Sequence, residues 1–193
     1  MDVFEEIFAG NHDLPDREFL PGDPRVIFDL GANIGLAVAH MAVLFPQARI
    51  VGVELDGENA ELCRANIAPW EERCQVINAA VWHTDGSIGY ELRPGHEWEA
   101  HVTSGASKRV AVAISMKTLL GGMGDVADYV KVDVEGAERE LLGGDASWAR
   151  RIRCIKVEVH APYTTAECAT DLERAGFRTA VGPGGHVVGI RSS

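Results

Sequence analysis

Short apolar runs alternate with longer amphipathic segments along the first half of the chain. Val26–Asp29, Arg49–Glu54 and Gln75–Val81 are rich in Val and Ile and have the length of β-strands. Between them, Leu36–Leu44 and a segment that starts at Asp56 or Gly57 and ends before Pro69 carry apolar residues at helical spacing. Strict alternation of strand and helix is typical of parallel strands joined by right-handed crossovers. The pattern therefore predicts an α/β fold, with a mostly parallel sheet and helices on both faces.

The pattern changes after the third predicted strand. Residues 87–92 alternate like an edge strand, residues 93–107 are polar, and residues 109–114 form another apolar run. These features predict a β-hairpin-like insertion before strand four. Long loops inside compact domains are usually functional, so we expect residues 93–107 to form a lid that faces the substrate.

Two further strands and a hairpin complete the predicted sheet. Ala127–Val134 and Arg153–His160 are predicted as strands four and five. The runs 177–181 and 186–190 face each other across a turn that contains three glycines, which predicts an antiparallel C-terminal hairpin. The expected sheet therefore has seven strands.

Length and charge narrow the class of protein. The 193 residues suit one domain, and we assign residues 25–193 to it and residues 1–24 to an N-terminal helix and an irregular arm. Acidic residues outnumber basic ones by 29 to 18, which gives a net charge of −11. A phosphate backbone would be repelled by such a surface, so we expect no nucleic-acid partner.

Other features of composition point to a cytoplasmic protein. No apolar stretch approaches the ~20 residues that cross a bilayer, so no membrane partner is expected. The N-terminus lacks the basic region and apolar run of a signal peptide. The four cysteines form no C-x-x-C pair, which favours buried thiols in a reducing compartment. The oligomeric state is left open, with a homodimer as one option.

The glycine turn after the first strand selects the type of cofactor. Gly31–Gly35 has the spacing G-x-x-x-G and lacks the G-x-G-x-x-G fingerprint of dinucleotide-binding proteins. Asp29, two residues earlier, would repel a pyrophosphate. S-adenosylmethionine (SAM) has no phosphate, and its ammonium and sulfonium charges suit acidic surroundings. Glu54 ends the next strand, close to the ~20-residue offset at which an acid binds a ribose diol.

Polar residues collect where the predicted strands end. Ligands of an open parallel sheet bind at the carboxyl ends of its strands. The residues at these places are Asp29, Asn33, Glu54, Asn78, Asp133, Glu135, Glu158 and His160. Because like charges repel, a purely structural protein has little reason to gather carboxylates there. The sequence therefore predicts a ligand site at this edge of the sheet.

Three motifs resemble the signatures of the FkbM-type methyltransferases, within the class I methyltransferase superfamily. They are Val26–Gly35 (VIFDLGANIG), Lys131–Glu138 (KVDVEGAE) and Lys156–His160 (KVEVH). The resemblance implies a Rossmann-like fold, SAM as cofactor, and O-methylation of a hydroxyl on a small molecule, either a natural product or a sugar. The family often has a proline after the acid of strand two, where this chain has Leu55.

The resemblance implies roles in binding the cofactor. The methionine end of SAM is expected at the glycine turn with Asp29, the ribose hydroxyls at Glu54, and adenine near Asn78 and Ala79. A second interpretation makes Asn78 a cap at the strand end. Asp133 is expected to face the methyl group or the amino-acid end. The expected cofactor-binding residues are Asp29, Gly31, Ala32, Asn33, Gly35, Glu54, Leu55, Asn78, Ala79 and Asp133.

Methyl transfer to a hydroxyl also needs alignment and an acceptor for the hydroxyl proton. His160 is the first candidate for general base, with Asp133 and Glu158 as the other catalytic candidates. A plainer interpretation is that His160 only hydrogen-bonds loop backbone. A divalent cation such as Mg²⁺, held by Asp133, Glu135, Glu158 and His160, would instead lower the pKa of the hydroxyl. The residues expected to contact the hydroxyl acceptor are Glu135, Trp98 and His101.

Other functions compete with this hypothesis. N-methyltransferases of the same fold usually carry [N/D]-P-P-[Y/F] after strand four, where this chain has Asp133–Gly136 (DVEG). A nicotinamide dehydrogenase is disfavoured by the glycine spacing. A non-catalytic module that keeps the fold for protein contacts is the remaining alternative, and absence of SAM binding would favour it. Glu138, one turn into the next predicted helix, is expected only to interact with the helix dipole.

Overall fold

The computed structural model of the protein describes residues 14, 19–20, 22–93, 96–103, 109–122 and 126–191. Within residues 92–103 it describes the backbone alone. The predicted N-terminal helix, most of the predicted arm, and the side chains of Trp98 and His101 therefore lie outside the described part. Within that part, no helix combines the length and the hydropathy needed to cross a bilayer.

Strands and helices alternate as far as the third strand, as the sequence predicted, and the order then changes to four further strands in succession. The helices are α1 (Leu36–Leu44), α2 (Gly57–Ile67), α3 (Met116–Gly122), α4 (Glu138–Leu142) and α5 (Thr165–Arg174). The strands are β1 (Val26–Leu30), β2 (Arg49–Glu54), β3 (Cys74–Asn78), β4 (Ala80–Trp82), β5 (Gly86–Arg93), β6 (His96–Thr103), β7 (Arg109–Ser115), β8 (Ala127–Val132), β9 (Ile152–Glu158), β10 (Arg178–Val181) and β11 (His186–Ile190). Short 3₁₀ turns occupy Ala68–Trp70, Ser147–Arg151 and Pro183–Gly185.

Seven strands form the central sheet, in the order β10-β11-β9-β8-β1-β2-β3. β11 runs antiparallel to both β10 and β9, and the other neighbours are parallel. The predicted seven-stranded, mostly parallel sheet with a C-terminal antiparallel hairpin is confirmed. Successive strands leave β1 in opposite directions, so the strand order reverses between β1 and β8. Ligands of such sheets bind at this switch point, outside the carboxyl ends of the strands.

The insertion differs from its prediction in three ways. The predicted strand Gln75–Val81 is divided, because β3 joins the central sheet while β4 pairs with β7 in a second sheet. That second sheet has the order β4-β7-β5-β6, so β5 is an inner strand rather than an edge strand. Residues 93–107, predicted as a polar lid, contain β6. Trp98, Ala100 and Val102 alternate with polar residues along β6, a period-2 signal that the overall polarity concealed.

The central sheet is buried on both faces. Ile27 and Phe28 are adjacent in β1 and fully buried, yet they belong to different clusters, because successive strand side chains point to opposite faces. Ile27 lies in the cluster that contains Met41 of α1, and Phe28 lies in the cluster that contains Leu172 of α5. Each such side chain contributes roughly 1.5–3 kcal/mol through burial. The predicted placement of helices on both faces is confirmed.

Local signals set the helix boundaries. The side chain of Asp56 accepts hydrogen bonds from the N–H groups of Glu58 and Asn59, which caps α2. Thr164 and Glu167 form a reciprocal capping box at the start of α5. All four cysteines are buried free thiols, as expected for small hydrophobic residues.

Gly31 should tolerate no side chain. Its φ is +87°, and a Cβ at this position would overlap the backbone carbonyl oxygen of Asp133. Gly22 has nearly the same φ, +86°, but open space around it, so it is a matched control. We expect Gly31→Ala to lower the free energy of unfolding by about 3 kcal/mol or more. Gly22→Ala should cost only about 1 kcal/mol, from the backbone conformation alone. Urea denaturation measures both, and equal losses would contradict the role of the Gly31 contact.

Candidate active site

The turn between β1 and α1 is held against β2 and α2. Gly31 and Gly35 have φ values of +87° and +83°, which a residue with a side chain rarely adopts. The peptide N–H groups of Gly31 and Ala32 both donate to the carbonyl of Val53, at 2.9 and 3.0 Å. A Cβ on Gly35 would stand 2.6 Å from Sγ of Cys63 on α2. The glycines therefore allow a close approach that fixes the turn at the carboxyl edge of the sheet.

Glu54, the last residue of β2, lies beside this turn and is 6% exposed. Its Oε2 accepts the N–H of Asn33 at 2.8 Å, and its Oε1 accepts the N–H of Asp56 at 2.8 Å. Burial raises the pKa of Glu54, although these two N–H groups act in the opposite direction. Each carboxylate oxygen can accept a second hydrogen bond, so Glu54 is an oriented acceptor for a pair of neighbouring hydroxyls.

Asn78 ends β3 directly opposite Glu54. Its Nδ2 donates to the backbone carbonyls of Glu54 at 2.9 Å and Leu55 at 3.0 Å. The N–H of Ala79 also donates to the Glu54 carbonyl, at 2.9 Å. These bonds are the cap that one interpretation of Asn78 predicted. The contact of Asn78 and Ala79 with adenine stays a prediction.

Three charged residues lie opposite one another on neighbouring strands of the central sheet, close to the candidate site. Asp29 of β1 lies opposite Lys131 of β8, which lies opposite Lys156 of β9. The Lys131 ammonium is 3.7 Å from Oδ1 of Asp29 and 3.0 Å from Oδ2 of Asp133. Asp29 is fully buried, whereas the side chain of Asp133 is 24% exposed. Lys131 thus joins an enclosed carboxylate to one at the surface, and direct contact of Asp29 with SAM stays a prediction.

The turn between β8 and α4 presents a second group of acids. β8 ends at Val132, two residues earlier than predicted, and the chain then turns through Glu135 at φ +49° and Gly136 at φ +98°. Glu138 opens α4 and is fully buried. Its Oε1 accepts the N–H of Gly136 at 3.1 Å. Buried Glu138 therefore stabilises the turn through this hydrogen bond. The side chains of Asp133 and Glu135 remain partly exposed.

His160 lies two residues beyond β9 and faces this group of acids. Its Nδ1 is 2.8 Å from Oε1 of Glu138, and its Nε2 is 3.5 Å from Glu135 and 3.9 Å from Asp133. The hydrogen bond to Glu138 raises the pKa of His160 to about 9 against the effect of burial, with smaller contributions from Glu135 and Asp133. His160 therefore carries a proton at neutral pH. A buried carboxylate orients the imidazole, in contrast to the plainer interpretation in which only loop backbone does so.

Asp133, Glu158 and His160 also have the spacing of a metal-binding group. One potential ligand atom from each lies within 4.8 Å of the others. The group contains three of the four predicted metal ligands, and Glu135 is not part of it. Oxygen and imidazole ligands suit a range of divalent cations. The hydrogen bond from His160 to buried Glu138 is also the arrangement that commonly orients a histidine ligand.

Two site residues were missed by the sequence interpretation. Glu138 was assigned to the helix dipole, but its carboxylate is the partner of His160. Lys131 was not assigned a role, yet it forms ion pairs with Asp29 and Asp133. The signal for Lys131 was its position two residues before Asp133, which places both on one face of an extended chain. Glu138 had no comparable local signal, because its partner is 22 residues away.

A model of the methyltransferase FkbM domain matches residues 29–179. The chain belongs to the FkbM methyltransferase family. The match includes all three motifs that suggested the resemblance, except the first three residues of Val26–Gly35. It also includes Glu54, Glu138 and His160, so the geometry above is that of an FkbM domain.

Three relatives of this FkbM domain are similar at low identity. Hexuronic acid methyltransferase AglP of Haloferax volcanii is 24% identical, in an alignment that covers 81% of this chain and 64% of AglP. The 2-O-methyltransferase NoeI of Sinorhizobium fredii is 26% identical over 70% of this chain, which spans 63% of NoeI. The AMB antimetabolite synthetase AmbE of Pseudomonas aeruginosa is 24% identical over 93% of this chain, which spans only 11% of that protein.

A shorter match and a solved structure complete the comparison. A tRNA1(Val) (adenine(37)-N6)-methyltransferase of a Shewanella species is 36% identical over 63 residues, or 32% of this chain and 26% of the enzyme. The structure of the SAM-dependent methyltransferase SibL superimposes with a TM-score of 0.56 at 14% identity, covering 98% of this chain and 56% of SibL. The predicted class I methyltransferase fold is confirmed for this FkbM domain.

The pKa of His160 should depend on Glu138. In the wild-type protein we expect a value of about 9, and in Glu138→Gln a fall toward 6.5, because the amide keeps the shape but removes the charge. Glu140→Gln, an exposed change on the same helix, should leave the pKa unchanged. NMR titration of the imidazole signal measures all three proteins. A value near 6.5 in the wild type would refute this account of the cluster.

The same shift sets the pH dependence of stability. Because folding raises the pKa of His160, its stabilising contribution is complete below pH 6.5 and is lost as pH rises through about 9. The free energy of unfolding of the wild type should therefore fall by on the order of 2 kcal/mol over this window, relative to Glu138→Gln.

Proposed function

We propose that this chain is a SAM-dependent O-methyltransferase that acts on a hydroxyl group of a small molecule, either a sugar or another natural product. The proposal rests on one observation: the residues that suit SAM and the residues that can contact a hydroxyl lie at the same edge of the sheet. Glu54 and the glycine turn suit an adenosyl group that has an amino-acid end and no phosphate. Asp133, Glu158 and His160 lie at or just beyond the ends of the neighbouring strands and can meet a hydroxyl.

SAM is proposed to lie across the switch point between β1 and β8. Glu54 accepts hydrogen bonds from the ribose hydroxyls, because its two oxygens are held by Asn33 and Asp56 in a fixed orientation. The glycine turn lets the methionine end approach the main chain closely. Asp133, with its partly exposed carboxylate, then lies on the side of the ammonium and sulfonium charges.

His160 is proposed to accept the proton of the attacking hydroxyl. The hydroxyl oxygen forms a bond to the methyl carbon as the carbon–sulfur bond breaks, and the proton passes to Nε2 of His160. Glu138 holds Nδ1, so Nε2 is the nitrogen that faces the site. A base must be neutral, and the pKa of His160 is about 9 in the free protein. The rate should therefore rise with pH toward 9, and a nearby sulfonium charge would lower this pKa.

The relatives support a sugar hydroxyl as the acceptor. AglP is named for a hexuronic acid and NoeI for 2-O-methylation, and their alignments cover 81% and 70% of this chain. Since each alignment spans less than two thirds of the relative, the acceptor is proposed as a class of compound.

A divalent cation such as Mg²⁺ is the second candidate for activating the hydroxyl. The grouping of Asp133, Glu158 and His160 favours it. A cation held there would lower the pKa of a bound hydroxyl and would replace the proton that His160 carries. In that case His160 is a ligand and not the base.

N-methylation of tRNA is the rival function within the fold. The match to the tRNA methyltransferase extends over only 32% of this chain. The net charge of −11 disfavours a polyanion. A hydroxyl acceptor is therefore preferred over nucleic acid.

Methyl transfer to defined acceptors tests the proposal. With isotopically labelled SAM, we expect label in free hexuronic acids or their glycosides and none in tRNA. His160→Asn should lower kcat by about tenfold or more while leaving the affinity for SAM nearly unchanged. Glu140→Gln is the control and should match the wild type. Label in tRNA, or a normal rate for His160→Asn, would refute the corresponding part of the proposal. Loss of transfer in EDTA that Mg²⁺ restores would assign His160 to the metal.

A further inference from the structure

An ion pair joins the second sheet to the cofactor side of the domain. Arg109 is the first residue of β7 in that sheet. Its guanidinium Nη1 lies 3.1 Å from Oδ2 of Asp56, which belongs to the loop between β2 and α2. Residues 79–115 separate β3 from α3, so this contact joins an inserted element to the loop that follows the expected ribose acid.

Asp56 connects three parts of the cofactor edge. Its Oδ1 accepts the N–H groups of Glu58 at 2.9 Å and Asn59 at 3.2 Å, which caps α2. Its own N–H donates to Oε1 of Glu54 at 2.8 Å. Its Oδ2 binds Arg109. Asp56 therefore positions one of the two N–H groups that orient the Glu54 carboxylate.

The negative charge of Asp56 makes its environment sensitive to the loss of Arg109. The Asp56 side chain is 5% exposed, and the charge of Asp56 acts on the neighbouring Glu54 to disfavour its ionised form. The partly exposed guanidinium of Arg109 is a cation that contacts the buried Asp56 carboxylate. An exposed ion pair contributes little by itself, but removing the cation of a buried carboxylate leaves an uncompensated charge.

Arg109 is itself held in place by the second sheet. Arg109 and Tyr90 are directly opposite each other on β7 and β5, and their side chains are hydrogen-bonded. Tyr90 is 7% exposed, so one end of this bond is fixed by packing. The guanidinium is thus directed toward Asp56 by a buried neighbour, although its side chain is 48% exposed.

We propose that Arg109 is a positioning residue for the ribose of SAM, acting from the inserted sheet through Asp56 on Glu54. This inference rests on the proposed binding of SAM. It gives the insertion a role in cofactor binding, in addition to any contact with the acceptor.

Calorimetric titration of SAM into matched variants tests the inference. Arg109→Gln should weaken binding roughly fivefold to tenfold, because Asp56 loses its cation. Arg109→Lys should recover most of the affinity, since it keeps the charge. Arg178→Gln is the control: Arg178 is also an exposed arginine that begins a strand, but β10 lies at the far edge of the central sheet. It should bind SAM like the wild type.

A double-mutant cycle with Glu54→Gln distinguishes positioning from a general structural effect. If Arg109 acts through Glu54, adding Arg109→Gln to Glu54→Gln should change the SAM dissociation constant by less than about twofold. The same loss in both backgrounds, or no recovery by Arg109→Lys, would overturn the inference. Wild-type binding of SAM with unchanged affinity in Arg109→Gln would overturn it and leave the proposed function standing. No binding by the wild type would refute both.

Discussion

One backbone contact sets the two halves of the site relative to each other. Gly31, after β1, lies so close to the peptide of Asp133, after β8, that any side chain at Gly31 would overlap the Asp133 carbonyl. The N–H of Asp133 donates to the carbonyl of Leu30 at 2.9 Å, which locks the same contact. The glycine turn and the acidic turn are therefore positioned by main-chain atoms at the point where the strand order reverses. Glu54 lies on one side of this point and His160 on the other.

Charges around that contact alternate in sign. Lys131 lies between Asp29 and Asp133, and protonated His160 lies among Asp133, Glu135 and Glu138. Such pairing explains how several carboxylates can share one edge of the sheet without excessive repulsion.

The same pairing has a consequence for chemistry. The neighbouring acids raise the pKa of His160 to about 9, so a second cation close by would lower this pKa and increase the neutral fraction that can act as a base. In the proposed function the sulfonium of SAM is the cation that would do so, whereas a divalent metal ion would make His160 a ligand instead. Proton transfer and the charge of the bound cofactor are therefore coupled in the proposed function.

Features with local signals could be predicted from the sequence. The observed bounds of β2 and α1 equal the predicted ones, and α2 begins at Gly57 because Asp56 caps it. The glycine turn and the acids at the strand ends were found by the same means, because the end of a strand is visible in the chain itself.

Features that depend on distant partners could not be predicted in this way. The division of the third strand depends on pairing between β4 and β7, and the hydrogen bond of Glu138 depends on His160. The ion pair of Arg109 with Asp56 joins residues 53 positions apart. None of these partners is encoded by periodicity or by a turn signal, so only the assembled fold identifies them.

Calorimetric titration shows directly whether the protein binds SAM. We expect the wild-type protein to bind SAM and S-adenosylhomocysteine. Glu54→Gln should weaken this binding by about 1–3 kcal/mol, because the charge-assisted hydrogen bonds to the ribose are lost. Glu58→Gln, an exposed change in the first turn of α2, should bind like the wild type. Absence of binding to either ligand would refute SAM as the cofactor, and equal affinity in wild type and Glu54→Gln would refute the role of Glu54 at the ribose.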